Sequence, residues 1–200
     1  MSEIKIFNKW DIQGIEISDP GLKRYVNLKP VIVPRNFGRH AKHQYHKSQV
    51  NIIERFLTHL FIPGHKGKKH FISSGRSAGK TLTAYKILNE TFRILEEKTK
   101  KNPVEILVKA IENSALREEV TSFQVGGIIV RRAVITSPQR RVDLAIRLIV
   151  QSSYQKSVNK PKTFPQALSD ELIATYNYDA QNSNAIREKE RIEREATSSR

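Results

Sequence analysis

From about residue 46 the chain is organised by apolar residues recurring three and four apart, broken by short polar stretches. Val50, Ile53, Leu57 and Leu60 share one helical face, and this helix has to stop before Pro63-Gly64, because proline offers no amide donor to the next turn. Leu82, Tyr85, Leu88, Phe92 and Leu95 define a second stripe, ending in the polar run EEKTKKN. Asn102-Pro103-Val104-Glu105 predicts a helix start: Asn caps, Pro suits the first turn, and Glu can reach back. Val104, Leu107, Val108 and Ile111 then face the core. By the same logic Ser137-Pro138 opens a helix with Val142, Ala145, Ile146 and Ile149 inward. Thr163 and Gln166 have capping-box spacing, ahead of Leu168 and Leu172. From about Ser183, charges of both signs recur at helical spacing, with Glu190 and Arg194 able to pair, which predicts a solvated helix.

One segment follows a different period. VTSFQVGGIIVRRAVI is rich in β-branched residues and is split by Gly126-Gly127, a dipeptide suited to a tight hairpin turn. With that turn, Phe123, Val125, Ile128, Val130 and Arg132 share one face, and Gln124, Ile129 and Arg131 the other. A lone two-stranded ribbon is marginal in water, and one with an apolar tip is expected to project onto a partner. Residues 1–45 show no sustained period and carry Gly14, Asp19-Pro20-Gly21, Pro30, Pro34 and Gly38, so they are expected to form an extended N-terminal arm. The fold class is therefore mainly α: a helical bundle (46–180) with one protruding β-hairpin at about 119–136, the arm before it, and a C-terminal helix over 181–200.

Composition narrows the function. The 200 residues hold 35 Lys and Arg against 20 Asp and Glu, a net charge of +15, so a polyanion, nucleic acid first, is the expected partner. The hydrophobic share of 38% suffices for a packed core. Zero cysteines exclude disulfides, Cys-based zinc sites, iron–sulfur clusters and thiol catalysis. The first residues lack a basic-then-apolar leader pattern and the longest apolar run is short, so a cytoplasmic protein with no membrane partner is expected.

Three motifs invite a catalytic or metal reading. SSGRSAGKT resembles a phosphate-binding Walker loop, but counting back from Gly79 the position that needs Gly is Ser74, and no long apolar strand precedes it. Its small residues, with Arg76 and Lys80 near a helix start, suit phosphates of RNA better than a nucleotide to be hydrolysed. Lys66, Lys68 and Lys69 lie on the preceding Gly-containing loop. His40, His43 and His46 are three apart, a spacing that drifts round a helix, and cationic RNA-facing surface explains them better than a metal site. Asp170-Glu171 suits a salt-bridged pair near Lys162 rather than an acid–base dyad. No enzyme, cofactor or metal is expected.

The ordered series of GKKH, NPVEILVKAIENSALRE, the Gly-Gly ribbon, SPQRRVDLAIRLIV, FPQALSDELI and AIREKERIERE resembles the family of small ribosomal subunit protein seven, in its archaeal and eukaryotic form. The likeness runs from DPGLKRYVNL to the C-terminal helix, and bacterial members share it only from about Val50. The resemblance implies a structural protein of the cytoplasmic ribosome that binds the 3′ major domain of small-subunit rRNA and organises head assembly. It also implies neighbouring ribosomal proteins as partners, and a ribbon near exit-site tRNA and mRNA. On this likeness Val125, Gly126 and Gly127 form the ribbon tip. The RNA-binding set is Lys66, Lys68, Lys69, Arg76, Lys80, Arg131, Arg132, Arg140 and Arg141, the last two opening the RNA-facing helix. Few exposed aromatics are available for stacking, which favours folded RNA read by shape. A free-standing nucleic-acid-binding protein is the alternative that the charge alone would allow.

Overall fold

The computed structural model describes residues 4–64 and 77–200. In chain order the described elements are α1 (Pro20–Lys23), α2 (Ile52–His59), α3 (Thr81–Thr99) and α4 (Pro103–Ser114). There follow β1 (Glu118–Val125), β2 (Ile128–Ile135), α5 (Pro138–Ser157), α6 (Phe164–Tyr176) and α7 (Asn184–Ser198). The fold is mainly α with one antiparallel two-stranded hairpin.

Local chemistry explains the helix boundaries. Asn102 Oδ1 accepts the Val104 amide at 3.0 Å ahead of Pro103, and its Nδ2 donates to the Asp11 carbonyl at 2.7 Å, so one cap also fastens the N-terminal segment to α4. At α6 the Thr163 amide donates to Gln166 Oε1 at 3.2 Å, the reach-back half of the expected capping box. Helix α2 is shorter than its apolar period implies: residues His46–Gln49 form a separate 3₁₀ turn, and Asn51 caps the α-helix through Ile53. Helix α3 ends at Lys100, whose φ of 54° places it in the left-handed region typical of a helix stop.

The core is shared by every long helix. Helix α6 packs against α3, α4 and α5, while α7 closes over α5 and the hairpin. The predicted inward residues of α4, α5 and α6 are buried. Leu82 departs from its predicted stripe: it is 76% exposed, because the first turn of α3 runs past the edge of the core, and Ala84 takes the first inward position.

The N-terminal segment differs from a free arm. It is largely irregular, yet Ile6, Trp10, Ile12, Leu22 and Val26 are buried in the common core. Trp10 stacks edge-on against Phe92 with ring centroids 5.2 Å apart, and its Nε1 donates to Glu96 at 3.0 Å. The segment inserts single large side chains between turns, so its burial leaves no periodic trace. A second anchor is ionic: Arg55, 1% exposed, donates to the Tyr25 carbonyl at 2.9 Å and to Asp143 at 2.8 Å, and Lys47 reaches the other oxygen of Asp143 at 2.8 Å.

Candidate nucleic-acid interface

The hairpin is built from its turn outward. Gly126 and Gly127 both have positive φ, 56° and 86°, which is the backbone of the two-residue turn whose twist matches the paired strands. Pairing runs Val125 with Ile128, Phe123 with Val130 and Thr121 with Arg132, so the predicted register and both face assignments are observed. Residues 121–132 are exposed throughout, including Val125, Gly126 and Gly127 at the tip, while α7 supports the root. Arg131 and Arg132 lie on opposite faces of β2.

Two carboxylate forks fix the root. Glu119 accepts Arg140 Nε and Nη2 at 2.6 and 2.7 Å, and Glu118 accepts Arg200 Nη2 at 2.5 and 2.6 Å. Both guanidinium groups remain more than half exposed. The neighbour Arg141 is different: its side chain is only 13% exposed, with Nε on the Leu116 carbonyl at 2.9 Å and Nη2 on Asp19 at 2.7 Å. Burial would raise Asp19, but the Arg141 hydrogen bond and the Gly21 amide outweigh it and hold the carboxyl below its ordinary range. The adjacent arginines thus have separate jobs in the free protein, one open to solvent and one tying the N-terminal segment to the ribbon root.

Lys80 is exposed immediately before α3, whereas Lys66, Lys68, Lys69 and Arg76 lie outside the described residues. Of the described candidates, Arg131 and Arg132 project from opposite faces of the exposed ribbon, while Arg140 and Arg141 stand in the first turn of α5. Asp170 is salt-bridged to Lys98 at 2.6 Å and to Lys162, and the buried Glu171 is held by Lys156, the Ser183 hydroxyl and the Ala185 amide. Both acidic side chains act as structural ties. Among the described residues no cluster of His, Asp and Glu is placed to hold a metal ion, and no helix is long and apolar enough to cross a membrane.

Sequence reading passed over Lys109, Arg117 and Lys189, which line a cleft beneath the ribbon with Arg141. They come from separate elements, and no local motif marks them. Lys189 is buried, and burial lowers its pKa, assisted by the like charges of Arg117 and Arg141 against opposing Glu193.

These features define a class: a basic helical scaffold whose cations and apolar ribbon face outward, with structural rather than catalytic use of its buried charges. The profile of the ribosomal protein S7p/S5e family matches residues 22–200, and the chain belongs to that family. It is a non-enzymatic structural component of the ribosome. The chain is similar to small ribosomal subunit protein uS7 of Nanoarchaeum equitans, 46% identical over 198 residues, covering 99% of this chain and 100% of the relative. The uS7 proteins of Methanothrix thermoacetophila and Archaeoglobus fulgidus are each 41% identical, covering 98% and 99% of this chain and 100% and 96% of theirs.

Proposed function

We propose that the protein, as part of the small ribosomal subunit, binds the 3′ major domain of its rRNA, organises assembly of the head, and directs its ribbon toward exit-site tRNA and mRNA. The observation carrying this reading is the exposed ribbon. Its tip presents Val125, Ile128 and Ile129 to solvent, while Arg131 and Arg132 have no carboxylate partner among the described residues. A two-stranded element with so little burial contributes little to its own stability, and its chemistry suits a folded RNA surface. In this reading Arg140, Lys80 and the loop cations Lys66, Lys68, Lys69 and Arg76 grip phosphates, releasing counterions. Arg141 contributes mainly by holding the root in place.

Shortening the ribbon over Gln124–Val130, while retaining a tight glycine turn, tests the division of labour. Helical circular dichroism and binding to a 3′ major domain fragment should persist, and reconstituted subunits should lose deacylated tRNA from the exit site faster. Loss of rRNA-fragment binding by the folded variant would move the ribbon into the primary rRNA surface. Co-sedimentation of the intact protein with small subunits through a moderate salt wash separates this reading from a free-standing binder.

A further inference from the structure

The cleft at the ribbon root is enclosed by the Ser18–Pro20 segment, the second half of α4, the junction of β2 with α5, and α7, with a volume of about 660 Å³. We propose that it binds a phosphate-class oxyanion through Arg117, Lys189 and the Thr136 hydroxyl.

The lining of the cleft carries more cations than carboxylates. Lys109, Arg117, Arg141 and Lys189 line it, facing two lining carboxylates, Asp19 and Glu112. Both carboxylates are already engaged. Asp19 accepts Arg141 and the Gly21 amide, while Glu112 accepts Lys109 at 3.1 Å and the Asp19 amide at 3.2 Å. Arg117 and Lys189 have no carboxylate within salt-bridge distance among the described residues. For Arg117 in solvent this costs nothing. For Lys189, only 8% exposed, it matters: its Nζ donates to the Asn113 carbonyl at 2.7 Å and lies 5.2 Å from the Tyr178 ring, and the carboxylates of Glu193 and Glu190 act on its charge from a distance without forming an ion pair with it. Buried charges are normally paired, since the interior does not solvate them as water does.

A third group is unmatched independently. Thr136, which also lines the cleft, is 2% exposed and its Oγ1 has no hydrogen-bond partner among the described residues, an uncommon state for a buried hydroxyl. A tetrahedral oxyanion meets all three needs, with acceptors for the hydroxyl, for the remaining ammonium protons and for a guanidinium fork, and charge to neutralise both cations. The cleft is larger than a lone phosphate, so a phosphate carried on a larger group fits it. Two sources share this chemistry: a backbone phosphate of the rRNA, which rests on the function proposed above, and free phosphate, which does not.

The test uses the full-length protein and two variants, Arg117→Gln and Lys189→Met. Because Arg117 is exposed, its variant keeps the fold, which circular dichroism checks. Thermal unfolding is followed in millimolar inorganic phosphate and in chloride at equal ionic strength. Binding to the rRNA fragment is followed as a function of salt. Selective stabilisation of the wild type by phosphate, abolished in both variants, establishes the site with free phosphate as ligand. If phosphate has no selective effect, the backbone source requires each variant to bind the fragment about tenfold more weakly and to flatten the slope of log K against log salt by roughly 0.7 to 0.9. Unchanged phosphate response together with unchanged RNA slope overturns the cleft site while leaving the broader rRNA reading intact. A wild type that ignores the rRNA fragment overturns that broader reading, and the phosphate arm still decides the cleft.

Discussion

Replacing Asp143 with Asn removes the carboxylate that, among the described residues, pairs with both Lys47 and Arg55 in the buried anchor between the N-terminal segment, α2 and α5. Arg55 is essentially without solvent and keeps one other described acceptor, the Tyr25 carbonyl, while Lys47 loses its only described anion. Removing one partner of a buried ion pair typically costs about 3–5 kcal/mol, because the remaining charge is stranded. Asp143 is 19% exposed and Lys47 more so, which allows water to relieve part of the loss. The expected destabilisation of Asp143→Asn is therefore about 3 kcal/mol, at the lower end of that range. Urea unfolding of the free protein, followed by tryptophan fluorescence, measures it through Trp10, which lies in the segment that Arg55 tethers. The companion variant Arg55→Met with Asp143→Leu removes both charges and should recover most of the loss. A loss below about 1 kcal/mol for Asp143→Asn, with native signal, would refute the claim that this carboxylate compensates Arg55.

Two further outcomes concern the arginines at the ribbon root and His59, in the last turn of α2. Arg141→Ala removes bonds to Asp19 and to the Leu116 carbonyl, so it should lower folding stability by about 2 kcal/mol and expose the Asp19–Arg24 turn to proteolysis, whereas Arg140→Ala, exposed and held by one carboxylate, should change stability by less than about 1 kcal/mol. Burial, with Lys47, Arg147 and Arg55 nearby and Asp143 opposing, lowers the His59 pKa from 6.5 to about 4. The unfolded chain thus binds this proton more readily, so its effect on stability is small above about pH 6.5 and destabilising as pH falls toward 4; His59→Gln should remove roughly 2 kcal/mol of the loss between about pH 7 and 4.5, and parallel pH profiles of the two proteins would rule this out.

The elements most legible in the sequence are those whose local and tertiary demands coincide. Asn102-Pro103 both caps α4 and precedes a stripe that faces the core, and Gly126-Gly127 fixes the hairpin register at its only sharp turn. The N-terminal segment was the least legible, because Ile6, Trp10 and Leu22 enter the core from separate turns and leave no period to detect. In the C-terminal helix, charge spacing alone suggested a Glu190–Arg194 pair. Instead Arg194 Nε donates to the Glu190 backbone carbonyl at 3.2 Å, and Arg191 bridges Glu188 and Glu195. Equivalent spacings round a helix leave the choice of rotamer to neighbouring elements. The Arg140-Arg141 pair shows the same limit from another side. Its position at the start of a helix was readable, but the burial of one guanidinium depended on Asp19, which is 122 residues away in the chain.

The fork between Glu119 and Arg140 makes recognition at the ribbon root a substitution reaction. The carboxylate already occupies the two donors, Nε and Nη2, that a phosphate would use in the same bidentate manner. An incoming phosphate therefore gains only the difference between the two partners, and the displaced Glu119 must find solvent or another cation. Isolated phosphates meet a partner that is already satisfied. A surface able to accommodate the released carboxylate while supplying its own anion does not face the same penalty, so this arginine selects for local arrangement as well as charge, with the ribbon's own root as the competing ligand.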